Sequence, residues 1–509
     1  MTGGPAPSEI EVPPVPPSRL PRAGLRDLGR LAGHLLRGAP RHPPGTRLAP
    51  LATYGLDPFA GHVRALRRAP LETFCRIREE VGDLARLRLG PTTAHLVGGD
   101  PGLVRQVLQE GHREWAKPMA GRVALARILG HGLLVSEGAF WLRQRRLAQP
   151  AFHPARLARF GAHMVAAAAA TERRWAASAD RGEPFDVAKD IMRLTLRIVQ
   201  ETLLGAQTPA DADDVGRAVT GVLRETRRRM RDLLVEPTWV PSRRNRAFED
   251  HLATLDRAVG RMIAERRRTG GGGEDLLGTF LDAVDEDGGR MNDRQLRDEV
   301  MTMFLAGHET TANALAWTFE LLGRHPDVQR RLRAHLREVL GDRAATVEDV
   351  PRLGRVRMVL SEAMRLYPPA WVTARMPRRD TELGGFFIPA GSRVFVSPYV
   401  VHRHPDLWEN PEGFDPERFA DPAALDRFAY FPFGGGPRLC IGHRFAMMEG
   451  ILLLATLLRD LHLERVSARP AVPEAMITLR PRDGVWVRAR RIPRGEAGVG
   501  REPSAPPTA

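Results

Sequence analysis

Apolar residues recur at helical spacing over two long stretches, from about 155 to 265 and from 293 to 367, with the glycine run Gly270 to Gly273 as an exposed loop between them. Strand-like alternation is confined to short patches. Leu84 to Val97 alternates about Gly90-Pro91 as a hairpin would, and Gly384 to Val396 and Ile477 to Val487 offer further short strands. A last apolar helix is predicted from His443 to about Leu461. No segment repeats another. The pattern predicts a mainly α (α+β) fold: a single large helical domain, residues 50–490, carrying small β-sheets.

The flanks differ in character. Residues 1–49 form a Pro/Gly/Arg-rich N-terminal segment and residues 491–509 a flexible tail. Within the first, Leu25, Leu28, Leu31, Leu35 and Leu36 recur among Arg22, Arg26, Arg30 and Arg37, a short basic amphipathic helix that packs on the domain or touches a membrane surface. No segment reaches the ~20 apolar residues of a transmembrane helix, and the start lacks a signal peptide's apolar core. A soluble protein is expected.

Composition narrows the function classes. The 509 residues are 43% apolar and 27% charged, enough to bury a large core. Two cysteines, Cys75 and Cys440, cannot build a disulfide scaffold or a Cys-rich zinc site, which fits a reducing, cytoplasmic setting. The net charge of +15 raises nucleic acid as a partner. Yet only Lys117 and Lys189 are lysines, so the excess is a chain-wide use of arginine, and the densest basic run, Arg224 to Arg231, has no interleaved aromatic residues. Nucleic-acid binding is not expected.

Chemistry concentrates in Phe433-Gly434-Gly435-Gly436-Pro437-Arg438-Leu439-Cys440-Ile441-Gly442. Three glycines, an arginine and one thiol stand immediately before a helix, where backbone N–H groups and a nearby cation lower a thiol pKa below its usual ~8.5 and favour a metal-binding thiolate. The glycines let a flat ligand approach the backbone, and Arg438 can neutralise an acid on it. By itself a cysteine after a glycine turn is more often a buried structural thiol, which is the reading for Cys75.

The spacing of Phe433, Gly436, Arg438, Cys440 and Gly442 resembles the haem-binding loop of the cytochrome P-450 family, and three further motifs follow in that family's order. Ala306-Gly307-His308-Glu309-Thr310-Thr311 places an acid and an alcohol in an apolar helix at a glycine that costs about 1 kcal/mol relative to alanine. The resemblance implies that Ala306 and Gly307 border the cofactor and that Glu309 and Thr310 deliver protons for O–O cleavage. Glu362-x-x-Arg365, followed by Pro416-Glu417-Arg418-Phe419, resembles the family's structural triad, Glu362, Arg365 and Arg418. Trp141 and Arg145, four apart on one helical face, can both bond a carboxylate. The resemblance makes them holders of haem propionates with Arg438 and a strand arginine, Arg375, although Arg378 and Arg379 lie close by.

The resemblance spans roughly residues 50 to 490 and is strongest to actinobacterial, terpene-oxidising members. It implies haem b (iron protoporphyrin IX) on the Cys440 thiolate, and monooxygenation of a lipophilic small molecule such as a terpenoid of specialised metabolism. It implies a monomer fed by a separate ferredoxin and ferredoxin reductase, since the chain has no flavin or nicotinamide fingerprint. Arg438 and Arg444 are candidates for a ferredoxin-docking face. The implied substrate cavity takes in 117–134, 225–245, Met303, Ala306, Ala370 to Thr373 and Met476-Ile477. Competing readings are a peroxide-driven fatty-acid hydroxylase, which typically lacks the acid-alcohol pair, and a non-catalytic haem sensor, which has little use for it.

Overall fold

A computed structural model describes residues 43–204, 209–231, 240, 242–268, 275–285 and 288–493. The expected amphipathic helix near the N-terminus, the Gly270–Gly273 loop, part of the 225–245 region and most of the C-terminal tail lie outside the described residues. The helices that build the domain are α1 (Met119–Leu129), α2 (Gly138–Ala148), α3 (Pro154–Arg181), α4 (Val187–Leu204), α5 (Pro209–Arg231), α6 (Arg243–Arg268), α7 (Asp293–Arg324), α8 (Pro326–Leu340), α9 (Gly354–Leu366) and α10 (His443–Leu458). The architecture is mainly helical, as the periodicity predicts.

Helix α7 is the axis. Its 32 residues span about 48 Å at 1.5 Å per residue. Its start is fixed by a capping box: the Asn292 side chain accepts from the Gln295 N–H and the Gln295 side chain accepts from the Asn292 N–H, each at 2.9 Å. The run from Thr311 to Leu322 is buried on every side, so α7 passes through the interior and not across its surface. The main core joins it to α3, α4, α6, α9 and α10. Helix α10, with Ile451 to Leu454 wholly or almost wholly buried, carries the residues just after Cys440 into that core. Each such side chain contributes roughly 1.5–3 kcal/mol, so the cysteine loop hangs from a well-anchored helix.

Five short strands form the principal sheet. They are β1 (Leu84–Leu89), β2 (Thr92–Val97), β3 (Trp115–Ala116), β4 (Thr373–Pro377) and β5 (Arg393–Val396), in spatial order β1-β2-β5-β4-β3. The β1–β2 hairpin turns at Gly90-Pro91 with Leu89 opposite Thr92, as expected. Only β2 and β5 run parallel within this sheet. Near the C-terminus, β6 (Pro473–Ala475) and β7 (Leu479–Pro481) form a two-stranded ribbon.

Two boundaries differ from the sequence reading. The expected strand from Ile477 to Val487 is two pieces, β7 and Trp486–Arg491, with Ile477 and Thr478 in a turn. Gly484 breaks it at φ +78°, where a Cβ would overlap the Asp186 carboxylate. Helix α10 stops at Leu458, because Leu461 opens a strand paired through Arg491.

Candidate active site

The cysteine loop closes on its own backbone. The Cys440 N–H donates to the Phe433 carbonyl at 3.0 Å and the Leu439 N–H to the Gly436 carbonyl at 3.1 Å. Gly434 and Gly436 hold φ of +73° and +62°, and a Cβ on Gly436 would overlap the Leu108 carbonyl. Glycine is obligatory there. Cys440 is exposed, an opening between the buried Phe431 and Phe445, and Gly442 stands as the N-cap of α10 with its N–H toward the sulfur. The expected fall in thiol pKa is reversed: the surrounding protein desolvates the sulfur and pushes its pKa up, outweighing the Gly442 N–H and Arg145 that pull it down. A thiolate here requires a cation at the sulfur itself, which a metal provides by displacing the proton outright.

Behind the loop lies the predicted ionic group. Glu362 and Arg365 are 0% exposed and paired by two hydrogen bonds of 2.6 and 2.8 Å. Arg365 also donates to the carbonyls of His402, Pro411 and Gly413 at 2.7–2.8 Å, and Glu362 accepts from the Asp415 N–H at 2.9 Å. Arg418 is the looser third member, its Nε 3.4 Å from Glu362. His402 carries this support to the cysteine loop. Its Nε2 accepts from the Phe431 N–H at 2.9 Å, so its Nδ1–H faces the Arg365 carbonyl at 3.3 Å. Burial, and then the charge of Arg365, push His402 down to about 3, which keeps the ring neutral.

Beside the loop, the structure gathers Trp141 and Arg145 of α2, Arg375 of β4 and Arg438. Arg145 donates to the Leu439 carbonyl at 2.8 Å, and the Arg438 guanidinium lies 3.7 Å from the centre of the Trp141 ring. Arg438 also donates to Ser136 and Glu137, each at 3.0 Å. Arg375 meets only Thr373 and Ala374 of its own strand among the described residues, at 2.9 and 3.0 Å. Arg378 and Arg379 pair with Glu137 and Glu114 and are exposed, which separates them from Arg375. Lys117 and Arg122 join the cluster; burial and the charges of Arg438 and Arg375 bring the Lys117 amine down to about 7. Glu137 is the acid that faces Lys117, Arg375 and Arg438. A cluster so short of negative charge, with an indole N–H beside it, fits a ligand bearing carboxylates.

On α7, Ala306 is exposed although Met301 to Phe304, His308 and Glu309 are buried, so the helix borders open space at that turn. Thr310 is half-buried and its hydroxyl donates to the Ala306 carbonyl at 2.7 Å. Glu309 points elsewhere, as adjacent helical residues must. It is 5% exposed and accepts from the Thr478 hydroxyl at 3.1 Å. A Cβ on Gly307 would meet Val199 of α4 at 3.4 Å, so its bare side faces α4, whereas the resemblance implies that Gly307 borders the cofactor with Ala306.

One turn into α7, Asp298 accepts from the His131 N–H at 2.8 Å, and Glu299 accepts from the Leu133 N–H and the Gln144 amide at 3.0 and 3.2 Å. Burial pushes the Glu299 carboxyl up to about 7, against these two donors and with a contribution from the Asp298 charge. A carboxyl whose folded pKa is raised costs stability once ionised. The penalty is absent well below pH 4.5, where the unfolded chain also keeps the proton, builds as pH rises from there toward 7, and levels off at about 3 kcal/mol above it. Glu299→Gln should therefore raise the melting temperature at pH 8 much more than at pH 5; equal shifts at both would show ordinary ionisation.

Comparison with known proteins decides the family. A model described as Cytochrome P450 matches residues 54–486. The chain belongs to the cytochrome P450 family. It is 40% identical to cyclooctatin synthase of Streptomyces melanosporofaciens over 79% of this chain and 87% of the relative. It is 37% identical to cyclooctat-9-en-7-ol 5-monooxygenase of the same organism, over 85% and 93%. Pentalenene oxygenase of Streptomyces avermitilis is 35% identical over 79% and 89%. The crystal structure of the cytochrome P450DA heme domain superposes with a TM-score of 0.81 at 30% identity, covering 89% of this chain and all of that one. The protein is thus a haem-thiolate monooxygenase. No helix among the described residues is long and apolar enough to cross a membrane.

Sequence reasoning placed Lys117 and Arg122 in the substrate-cavity stretch 117–134 and not in the cationic cluster, and it missed Glu137, His402 and Thr478. Lys117 carried a signal, being one of two lysines in an arginine-rich chain. The others act through contacts between segments distant in sequence, which no local pattern announces.

Proposed function

We propose that the Cys440 thiolate would hold the iron of haem b and that this P450 oxygenates a terpenoid with electrons from a separate ferredoxin. The observation that carries the reading is the exposed Cys440 at the start of α10, flanked by a cationic cluster in which one acid, Glu137, faces Lys117, Arg375 and Arg438. Trp141, Arg145, Arg375 and Arg438 would hold the two carboxylates of the cofactor, Phe433, Gly436 and Gly442 would shape the loop that carries the thiolate, and Ala306 would border the cofactor from α7. When bound, haem supplies oxygen activation and C–H oxidation, which a thiolate ligand promotes.

The chain's own residues bind, orient and move protons. Thr310 offers a hydroxyl at the open turn of α7, and Glu309, next in sequence, is the carboxylate that takes up a proton and passes it on. The Glu309–Thr310 pair is what favours this reading over a peroxide-driven enzyme. Apolar side chains available to a substrate include Leu134 and Ile477, 45% and 37% exposed. A lipophilic ligand suits them. The relatives named for cyclooctatin and pentalenene chemistry point to a cyclic terpenoid.

The test is turnover under labelled O2 with reduced ferredoxin and a panel of cyclic terpene hydrocarbons, terpene alcohols and fatty acids. One labelled oxygen in a terpenoid product is expected. Oxidation of fatty acids alone, driven by peroxide and not by ferredoxin, would overturn the proposal.

Docking of the acidic donor is expected to use exposed arginines such as Arg444. Arg438, the other candidate, is engaged with Glu137 and Trp141 and cannot serve. Raising ionic strength from about 50 to about 300 mM should lower ferredoxin-driven turnover several-fold while substrate affinity holds. Salt-independent turnover would remove the electrostatic docking.

A further inference from the structure

The turn between β6 and β7 is fixed to the interior at three points. The Trp371 indole N–H donates to the Met476 carbonyl at 2.9 Å, the Trp317 indole N–H to the Leu479 carbonyl at 3.1 Å, and the Asn313 amide to the Thr478 hydroxyl at 3.0 Å. Thr478, Asn313 and Glu309 are all at least nine-tenths buried. Their polarity follows from donor and acceptor inventory. With the Thr478 oxygen accepting from Asn313, its single O–H donates to Glu309 Oε1 at 3.1 Å, because a carboxylate can only accept. Asn313 and Glu309 stand one turn apart on α7, so one hydroxyl from outside the helix bridges both. Arg480 of β7, paired with Glu474, adds a positive charge on the same side.

We propose that Thr478, oriented by Asn313, is the positioning residue for Glu309, setting the rotamer from which its carboxylate serves the proton relay. The inference rests on the reading of Glu309 as the relay acid. A carboxylate tethered through one oxygen to a rigid turn keeps its other oxygen in a fixed direction, and proton transfer needs that alignment. Without the hydroxyl, Glu309 loses the bond that fixes its Oε1, and rotamers that strand the proton become populated, so oxygen is consumed without product.

The test uses the haem-loaded enzyme and the variants Glu309→Gln, Thr478→Val, Thr478→Ser and the double variant Glu309→Gln/Thr478→Val. Thr478→Val removes the hydroxyl at nearly constant shape and should lower product formed per O2 roughly five- to tenfold, with KM for substrate unchanged. Thr478→Ser should restore it to within about twofold, and the double variant should be no worse than Glu309→Gln alone. In the resting enzyme, the infrared carboxylate band identified by its loss in Glu309→Gln should shift in Thr478→Val and return in Thr478→Ser. If Glu309→Gln lowers the yield while Thr478→Val matches wild type in yield and spectrum, the positioning role is overturned and the relay reading stands. If Glu309→Gln itself has no effect, the relay reading falls and the inference with it. Should Thr478→Val fail to hold haem, Thr478→Cys, a far weaker donor of similar size, carries the same comparison.

Discussion

Cys440→Ala is expected to leave the fold intact and to abolish both the red-shifted band of the reduced carbon-monoxide complex and all ferredoxin-driven turnover. The separation follows from how the loop is held. Its closing hydrogen bond uses the backbone N–H of Cys440, its conformation is set by Gly434 and Gly436, and the sulfur, although desolvated by the surrounding protein, keeps solvent-accessible surface and belongs to none of the apolar clusters of the described residues. Removing the sulfur should change stability by no more than about 0.5 kcal/mol. The chemical loss is far larger, since the thiolate is what directs electron density onto the iron. Circular dichroism and thermal melts of the purified variant check the first half, and the reduced carbon-monoxide spectrum the second. Cys75→Ala is the matched control: burial pushes that thiol up to about 11, so it stays protonated and the variant should keep the wild-type band. A wild-type band surviving in Cys440→Ala would end the assignment of the ligand.

Much of this site was legible because its chemistry is local. Phe433 to Gly442, Trp141 with Arg145, and Glu362 with Arg365 are each separated by a few residues, so spacing alone puts them on one loop or one helical face. The helical periodicity likewise exposed α7 and α10. What spacing could not supply is which partner each residue finds across the fold. Glu309 reads as an acid beside an alcohol, yet the structure turns it toward Thr478, 169 positions away. Gly307 reads as bordering the cofactor, and its bare side instead faces Val199. The direction of the Cys440 pKa shift failed for a related reason: helix-start N–H groups and the loop arginine are visible in sequence, whereas the cation that acts on the sulfur is Arg145, and the desolvation that outweighs it is a property of the assembled fold.

The second large effect is on folding, and it should fall unequally on the three members of the ionic group. Arg365→Leu is expected to be the most damaging, because it orphans Glu362 and the carbonyls of His402, Pro411 and Gly413 together, all in a region where Arg365 and Glu362 have no exposure. Glu362→Gln should follow: it leaves the Arg365 charge unpaired in the interior and sets an amide donor against the N–H groups of Arg365 or Asp415, at a cost of about 3–5 kcal/mol. Arg418→Ala should be mild. Its side chain is 14% exposed and its Nε stands 3.4 Å from Glu362, beyond a good hydrogen bond, so the tight pair survives without it. The damage in the first two variants should spread to the cysteine loop, because His402 joins the Arg365 carbonyl to the Phe431 N–H only nine positions before Cys440. Thermal melts of the three variants give the order in stability, and haem content per folded chain reports on the loop. Equal losses for Arg418→Ala and Glu362→Gln would mean that the triad acts as one unit, contrary to the division seen between the 2.6 Å pair and its distant third member.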